Sequence, residues 1–454
     1  MSEQPDDLET TLMLAAAAAD SRQFADQSEN NDSASAHFTD QNDQSRSDNE
    51  WNKDSDEEKV CIQNSVKEIK IVETTNRREK RKRSRDEKEI DIPNKLQKSI
   101  QGFSHIVATH YNQLEEKGLD ERSKSRIIYL RNFHNWIKSM LINEYLTYIK
   151  SGKKQHNAPL RVHDMGCGKG GDLHKWKKGS ITHLTCSDIA GISLEQCKAR
   201  YQDMVNRSLK ERGGGNMFSI EYIEGNFTKV RLREKYSDPS MKFDLVSCQF
   251  AFHYSFETLP QAECLFRNAG ECLQPGGFFI GTMPDSNELI ARAAKSKSNS
   301  FGNSVYNVKL DFDFNHPPLF GGKYDFYLDG VVNCPEFLVH FPTFVKLAKK
   351  YGLKLVKKEK FYNFFRRMES EGRQLLTTMR GLETYPPPNG CDLVGTAADD
   401  YTHAKEFMKN TDNDKVKLGT LSKSEWEVSS LYITFAFEKA KNTWNSDGTP
   451  CYKI

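Results

Sequence analysis

The stretch Arg161–Gly179 reads RVHDMGCGKGGDLHKWKKG, an apolar run, then four glycines within six residues, then a helix-like run. A chain that must leave a strand and start a helix this abruptly needs left-handed backbone, which glycine adopts without a Cβ penalty. The pattern therefore commits this region to a strand–turn–helix unit whose backbone can approach a ligand closely. Gly166, Gly168 and Gly171 satisfy G-x-G-x-x-G, and Gly170 also permits a tighter G-x-G-x-G. The glycines alone admit a pyrophosphate, a triphosphate or a nucleoside without phosphate. A P-loop is excluded, because its last glycine is followed by Lys-Ser/Thr and here Asp172 follows Gly171.

Two carboxylates narrow the choice. Asp188 ends the next apolar run, LTCSD, twenty-two positions after Gly166, where an acidic side chain accepts bonds from ribose hydroxyls. Ribose recognition suits NAD or S-adenosylmethionine equally. Asp164 sits two residues before Gly166, where a carboxylate aimed into the crevice would repel a pyrophosphate and attract a sulfonium. That favours the second ligand.

Around this turn, short apolar runs alternate with amphipathic stretches. RVHDM, HLTCSDI, SIEYIEG, FDLVSCQF and GGFFIGTM are expected strands, with helices over SLEQCKARYQDMV and TLPQAECLFRNAGECL between them. Alternation at this spacing predicts an α/β fold with a mostly parallel sheet and helices on both faces. LKLVKKEKF and SLYITFAFEKA would complete it as an antiparallel edge pair. Upstream, IVATHYNQLEE and RIIYLRNFHNWIKSMLINEYLTYI have helical spacing. Residues 301–330, with HPPLFGG, are expected to be irregular surface or a lid, and YPPPNGCD and DNDKVK to be loop or insertion.

The overall charge of +2 hides an asymmetry. Residues 1–60 carry sixteen Asp/Glu against four Lys/Arg, a net of −12, which leaves +14 for the rest and suits an anionic partner. Residues 1–98 are polar and poor in aromatics, so a disordered regulatory tail is expected, with the folded domain at 99–454. Within the tail lies RREKRKRSR, whose Arg77, Arg78, Lys80, Arg81, Lys82, Arg83 and Arg85 form a dense basic cluster suited to a nuclear import receptor. Nuclear localisation is the corresponding expectation. The ten cysteines show no CxxC or Cys/His zinc spacing, which predicts a reducing compartment and no metal site. LMLAAAAA is flanked by acidic residues, unlike a signal peptide, and no apolar run reaches the roughly 18–20 residues of a membrane span. A soluble intracellular protein without membrane contact is expected.

The motifs DMGCGKGGDLHKW, SDIA, CQFAFHYSFE and PGGFFIGTMPDSNEL resemble the eukaryotic mRNA cap guanine-N7 methyltransferase family. RNFHNWIKS upstream and GVVNCPEFLVHF and LGTLSKSEWE downstream are similar to it as well, in family order over roughly residues 100–440. The resemblance implies a class I S-adenosylmethionine-dependent methyltransferase, Rossmann-like, with an mRNA cap 0 methyltransferase catalytic domain over 99–454. It also implies transfer of methyl to N7 of the terminal guanine of GpppN-RNA, leaving S-adenosylhomocysteine. The donor site it implies comprises Lys138, Gly166, Asp188, Asn226, Gln249 and Tyr254. At Asn226 the family pattern has an acidic residue. The implied cap and RNA site comprises His134, Asn135, Lys169, Lys175, Arg200, His253, Glu336 and Tyr432, whose cations suit a triphosphate bridge. Partners implied are 5′-capped RNA, a small activating protein and the RNA polymerase II transcription machinery. Guanine N7 already carries a lone pair, so no proton must leave before attack and no catalytic base is expected. Cys167, inside the turn, is read as structural rather than nucleophilic.

Overall fold

The RVHDM run forms β1 (Arg161–Met165) in a computed structural model that describes residues 102–113, 124–153, 155, 158–210, 217–410, 417–444 and 450–452. The N-terminal tail and its basic cluster lie outside the described residues. Among the described residues two helices precede the strand, α1 (Ser104–Gln113) and α2 (Ile128–Gly152). After it follow α3 (Leu173–Lys178), β2 (His183–Asp188), α4 (Gly191–Lys210), β3 (Ser219–Glu224) and β4 (Phe243–Gln249). A 3₁₀ turn at Phe252–Glu257 leads to α5 (Leu259–Glu271), β5 (Leu273–Pro284) and α6 (Ser286–Ser296). Each of the five expected strands is present.

Residues 301–330 depart from expectation. Instead of an irregular lid they build most of a four-stranded antiparallel sheet, β6 (Ser300–Gly302), β7 (Tyr306–Leu310), β8 (Lys323–Leu328) and β9 (Val332–Phe337). YNVKL and KYDFYL alternate buried and exposed side chains with the period of a half-buried strand. HPPLFGG, the turn-rich segment that suggested irregularity, is only the connection between β7 and β8.

After α7 (Phe341–Lys350) come β10 (Leu353–Lys360) and α8 (Phe361–Thr378). A short ladder pairs β11 (Glu383–Tyr385) with β12 (Leu418–Thr420), and α9 (Thr402–Lys409) lies between them in sequence. The chain from YPPPNGCD to α9 is largely loop, as expected; most of DNDKVK falls outside the described residues. α10 (Lys423–Ser429) starts on a capping box made by Ser422 and Glu425, and β13 (Tyr432–Lys439) follows.

The main sheet has the order β10-β13-β5-β4-β1-β2-β3. β1 to β5 run parallel, while β13 is antiparallel to both β5 and β10. The expected edge pair is thus present, with β10 outermost. Helices cover both faces, which explains why every residue of β4 is buried. On one face α5 and α7 bring Phe266 and Phe344 against Phe252, stacked on Phe344 at 4.3 Å, and Phe344 also meets Phe435, which packs on Phe279. On the other, Trp136 and Phe133 of α2 meet Phe365 of α8. The parallel ladders hold β1, β2 and β4 in register, with their carboxyl ends at one edge. Among the described residues no helix is long and apolar enough to cross a membrane.

Candidate active site

The glycine turn closes against β2, where Gly166 N and Cys167 N donate to Ser187 O at 2.8 and 3.2 Å. Gly166, Gly168 and Gly170 have φ of 74°, 51° and 74°, in the left-handed region. A Cβ on Gly166 would lie 2.7 Å from Ala251 Cβ, and one on Gly170 2.8 Å from Cys197 Sγ. Gly171 has no such φ, and nothing stands within 4 Å of its Cβ direction. The tighter G-x-G-x-G is therefore the reading that the backbone uses. Asp188 braces the turn: Oδ2 accepts Gly168 N at 2.8 Å and Oδ1 accepts Ala190 N at 2.9 Å. Each oxygen keeps a lone pair for a ligand hydroxyl. Burial raises the Asp188 carboxyl above its ordinary value, and these backbone bonds oppose the rise.

Over this turn opens a cavity of about 240 Å³. Gly166, Asp188, Asn226, Gln249 and Tyr254 all line it, five of the six residues expected at the donor site. Gln249 is fixed by donating to Ser247 Oγ and accepting from Thr282 Oγ1, both at 3.1 Å. Asn226 spends its carbonyl on Thr228, accepting from N at 2.9 Å and Oγ1 at 2.7 Å, so its amide NH₂ is the group left for a base edge. The cavity fits an adenosyl ligand by its construction: a wall with no room for a Cβ beside a ribose-type carboxylate, closed by aromatic and amide side chains.

Sequence reasoning missed the roof. Phe103, Val107 and Tyr111 on or beside α1 line the same cavity, spaced four apart on one helix face. Phe103 N donates to Glu257 Oε1 at 3.1 Å, and the Tyr111 and Tyr254 hydroxyls lie 3.2 Å apart. That four-residue spacing was the available signal. Phe250, at the end of β4, was missed too; it holds φ of 56° and lines the cavity. For an aromatic residue this conformation is strained, and bonds from its N to Thr282 O and Oγ1 sustain it.

Three expected residues stand differently. Lys138 does not line the cavity; from α2 it pairs with Asp172 at 2.8 Å. Lys175 pairs with the same carboxylate at 2.7 Å and donates to Asn135 Oδ1 at 2.7 Å. Burial alone would raise Asp172, but the two ammonium groups hold its carboxyl well below the usual range. This ion triad pins the start of α3, and with it the glycine turn, to α2. Asp164 corrects the expectation of a carboxylate aimed into the crevice. It is buried, accepts Trp176 Nε1 at 3.1 Å and does not line the cavity. Burial, then the charge of Asp172, raises it, so it offers little negative charge to a sulfonium.

Beside the cavity lies a second cluster. Glu336, on β9, accepts the Tyr324 hydroxyl at 2.8 Å, and its other oxygen is 3.2 Å from His253 Nε2. Tyr254, adjacent to His253, also faces Cys334 Sγ at 3.4 Å. His134 stacks on Phe250 at 5.6 Å and meets Tyr432 edge-on at 5.2 Å. Burial lowers the His134 imidazole to about 3, so it is a neutral aromatic surface at physiological pH. Lys169 in the turn and Arg200 on α4 are half-buried and line neither wall of the cavity.

A parallel sheet of this order, with one reversed strand and an adenosyl-type cavity at its carboxyl edge, defines a class I S-adenosylmethionine-dependent methyltransferase. The family model for the mRNA (guanine-N(7))-methyltransferase domain matches residues 94–440, and the chain belongs to that family. A Drosophila melanogaster mRNA cap guanine-N(7) methyltransferase is 52% identical over 353 residues, covering 77% of this chain and 81% of that one. Proteins of the same name from Caenorhabditis elegans (37% identical, 75% and 88% covered) and Schizosaccharomyces pombe (32%, 74% and 82%) also match. Among solved structures, a S-adenosylmethionine-dependent methyltransferase from Clostridium acetobutylicum ATCC 824 aligns with a TM-score of 0.37 and 11% identity, over 74% of this chain and 98% of that one. S-adenosylmethionine is the methyl donor.

Proposed function

We propose that the 240 Å³ cavity holds the methyl donor while the Glu336 cluster holds the terminal guanine of a 5′-capped RNA, so that N7 faces the methyl carbon. One observation carries this reading: Tyr254 lines the donor cavity while its neighbour His253 lies 3.2 Å from Glu336, a buried carboxylate one residue away from the donor wall. Glu336 is suited to accept bonds from guanine N1–H and the N2 amino group. Asp188 takes the ribose hydroxyls, Asn226 the adenine edge, and Gln249 and Phe250 close the wall.

The bound donor supplies a methyl carbon on a sulfonium, which is its own leaving group. The protein has no proton to remove, because N7 attacks with an existing lone pair. Its contribution is placement, with the strained Phe250 and the Tyr111–Tyr254 pair setting the distance between the two ligands. Positive charge develops on guanine as it leaves sulfur. The aromatic faces of His134, Tyr432 and Phe250 and the carboxylate of Glu336 favour that charge.

Lys169 and Arg200 serve the triphosphate bridge, and Lys175, held by Asp172, supports the turn from which Lys169 projects. Residues 77–85 act as a ligand for a nuclear import receptor, which places the protein in the nucleus, near the RNA polymerase II machinery and a small activating protein. The test of the central reading is radiolabelled methyl transfer to GpppN-RNA and to the same RNA without a cap. Label on capped RNA alone, recovered as 7-methylguanosine, is expected. Equal labelling of uncapped RNA overturns the assignment of Glu336. For the tail, replacing the seven basic residues with alanine is expected to abolish nuclear accumulation and spare transfer on short capped RNA.

A further inference from the structure

Three cysteines far apart in sequence meet behind the glycine turn. Cys167 lies within the turn, Cys186 on β2 two residues before Asp188, and Cys197 on α4. Their Sγ atoms all lie within 4.8 Å of one another, and the residues are only 8%, 1% and 0% exposed. The cluster is part of the turn's support: a Cβ on Gly170 would lie 2.8 Å from Cys197 Sγ. Nothing in the methyl-transfer reading uses these thiols.

Three thiolates around one centre with bonds of about 2.3 Å hold their sulfurs about 4 Å apart, so small side-chain rotations bring these three into range. Sulfur ligands alone select a soft, thiophilic centre. Charge then decides which. The site is buried, and the carboxylate of Asp188 lies two residues along β2 from Cys186, which disfavours further negative charge there. Three thiolates on a divalent ion would leave a net charge of −1 there, and on a monovalent ion −2. A trivalent centre leaves none, and it needs only the three ligands that this buried group offers, where a structural zinc ion takes four.

We infer that Cys167, Cys186 and Cys197 form a buried three-thiol site for trivalent arsenic, supplied as arsenous acid, and that its occupation disables the donor cavity. In the step, three As–O bonds break and three As–S bonds form. Each thiol proton leaves with a hydroxide as water, three waters in all, and no oxidation state changes. Cys167 is the sulfur nearest the way in, because Gly166 and Gly168 on either side of it line the donor cavity. Drawing the three sulfurs together pulls the turn toward α4 and misplaces Gly168 N, which Asp188 holds at 2.8 Å. The coupling to the donor rests on the reading of that cavity given above; the binding does not.

The full chain, reduced and incubated with sodium arsenite, is desalted and assayed for arsenic by elemental analysis and for free thiols by titration. One arsenic per chain is expected, with three thiols lost. Cys197→Ser and Cys186→Ser should each abolish tight retention, while Cys391→Ser and Cys451→Ser, at exposed positions, should not. Arsenic retained by both buried-site variants, or loss of only two thiols in the wild type, overturns the proposal. So does a tightly held zinc ion that blocks arsenite. Separately, loading should weaken S-adenosylhomocysteine binding by about tenfold or more, and prior S-adenosylhomocysteine should slow loading. One arsenic bound with donor affinity unchanged would keep the site and refute its link to the cavity.

Discussion

Two alanine substitutions five residues apart should behave oppositely. At Gly166, φ of 74° places a side chain in left-handed backbone, at roughly 1–2 kcal/mol. The new Cβ would also lie 2.7 Å from Ala251 Cβ, and such overpacking costs about 1–3 kcal/mol. Together the strain is about 2–5 kcal/mol. The turn can relax only by moving away from Ala251, which displaces the wall that faces the donor. Gly171→Ala meets open space and ordinary φ, so its effect should lie within about 0.5 kcal/mol of wild type, or be slightly stabilising. Calorimetric titration with S-adenosylhomocysteine, with thermal unfolding alongside, separates the two. Gly166→Ala should lose about thirtyfold or more in affinity, by conversion of 2 kcal/mol, and Gly171→Ala should bind normally. Equal damage from both would mean that the looser G-x-G-x-x-G pattern is the one that matters, and the backbone reading would fail.

Three further outcomes are expected. Glu336→Gln should raise KM for capped RNA by roughly 10- to 100-fold, since charge-assisted bonds of about 1.5–3 kcal/mol are lost, and leave S-adenosylhomocysteine affinity within about twofold; parallel losses in both would point to misfolding. Tyr111→Phe removes the 3.2 Å contact with Tyr254 and should weaken donor binding about three- to tenfold by calorimetry; an unchanged affinity would remove α1 from the site. Burial raises Glu425 from 4.5 to about 7, against the bonds it accepts from Ser422 and Leu130. The folded state therefore holds this proton more tightly than the unfolded one, and stability should fall as pH rises from about 4.5 to about 7, by up to about 3 kcal/mol. Denaturant titrations should show that slope blunted in Glu425→Gln, and an unaltered slope would assign the effect elsewhere.

The strands were readable because each is a short apolar run ended by a turn, and five residues of one cavity were readable because the glycine turn and Asp188 mark the carboxyl edge of such a sheet. What escaped has physical reasons. Asp164 has the right position for a ligand carboxylate, but Trp176 twelve residues later supplies a buried donor that turns it inward, and no spacing rule announces that pairing. Lys138 and Lys175 gave no sign that one carboxylate, Asp172, holds both. β7 and β8 did carry a period of two, which was outweighed by the prolines and glycines of the loop between them. Cys167, Cys186 and Cys197 follow no metal-binding spacing because they arrive from a turn, a strand and a helix.

In the proposed mechanism placement alone, without a proton acceptor, transfers the methyl group. Single-turnover transfer from a preformed complex of enzyme, S-adenosylmethionine and capped RNA, measured between about pH 6 and about pH 8.5, isolates that step. The rate constant should stay flat across this range, with a solvent deuterium isotope effect near unity. A tenfold rise for each pH unit, or a large isotope effect, would reveal a base in the transition state and contradict the mechanism.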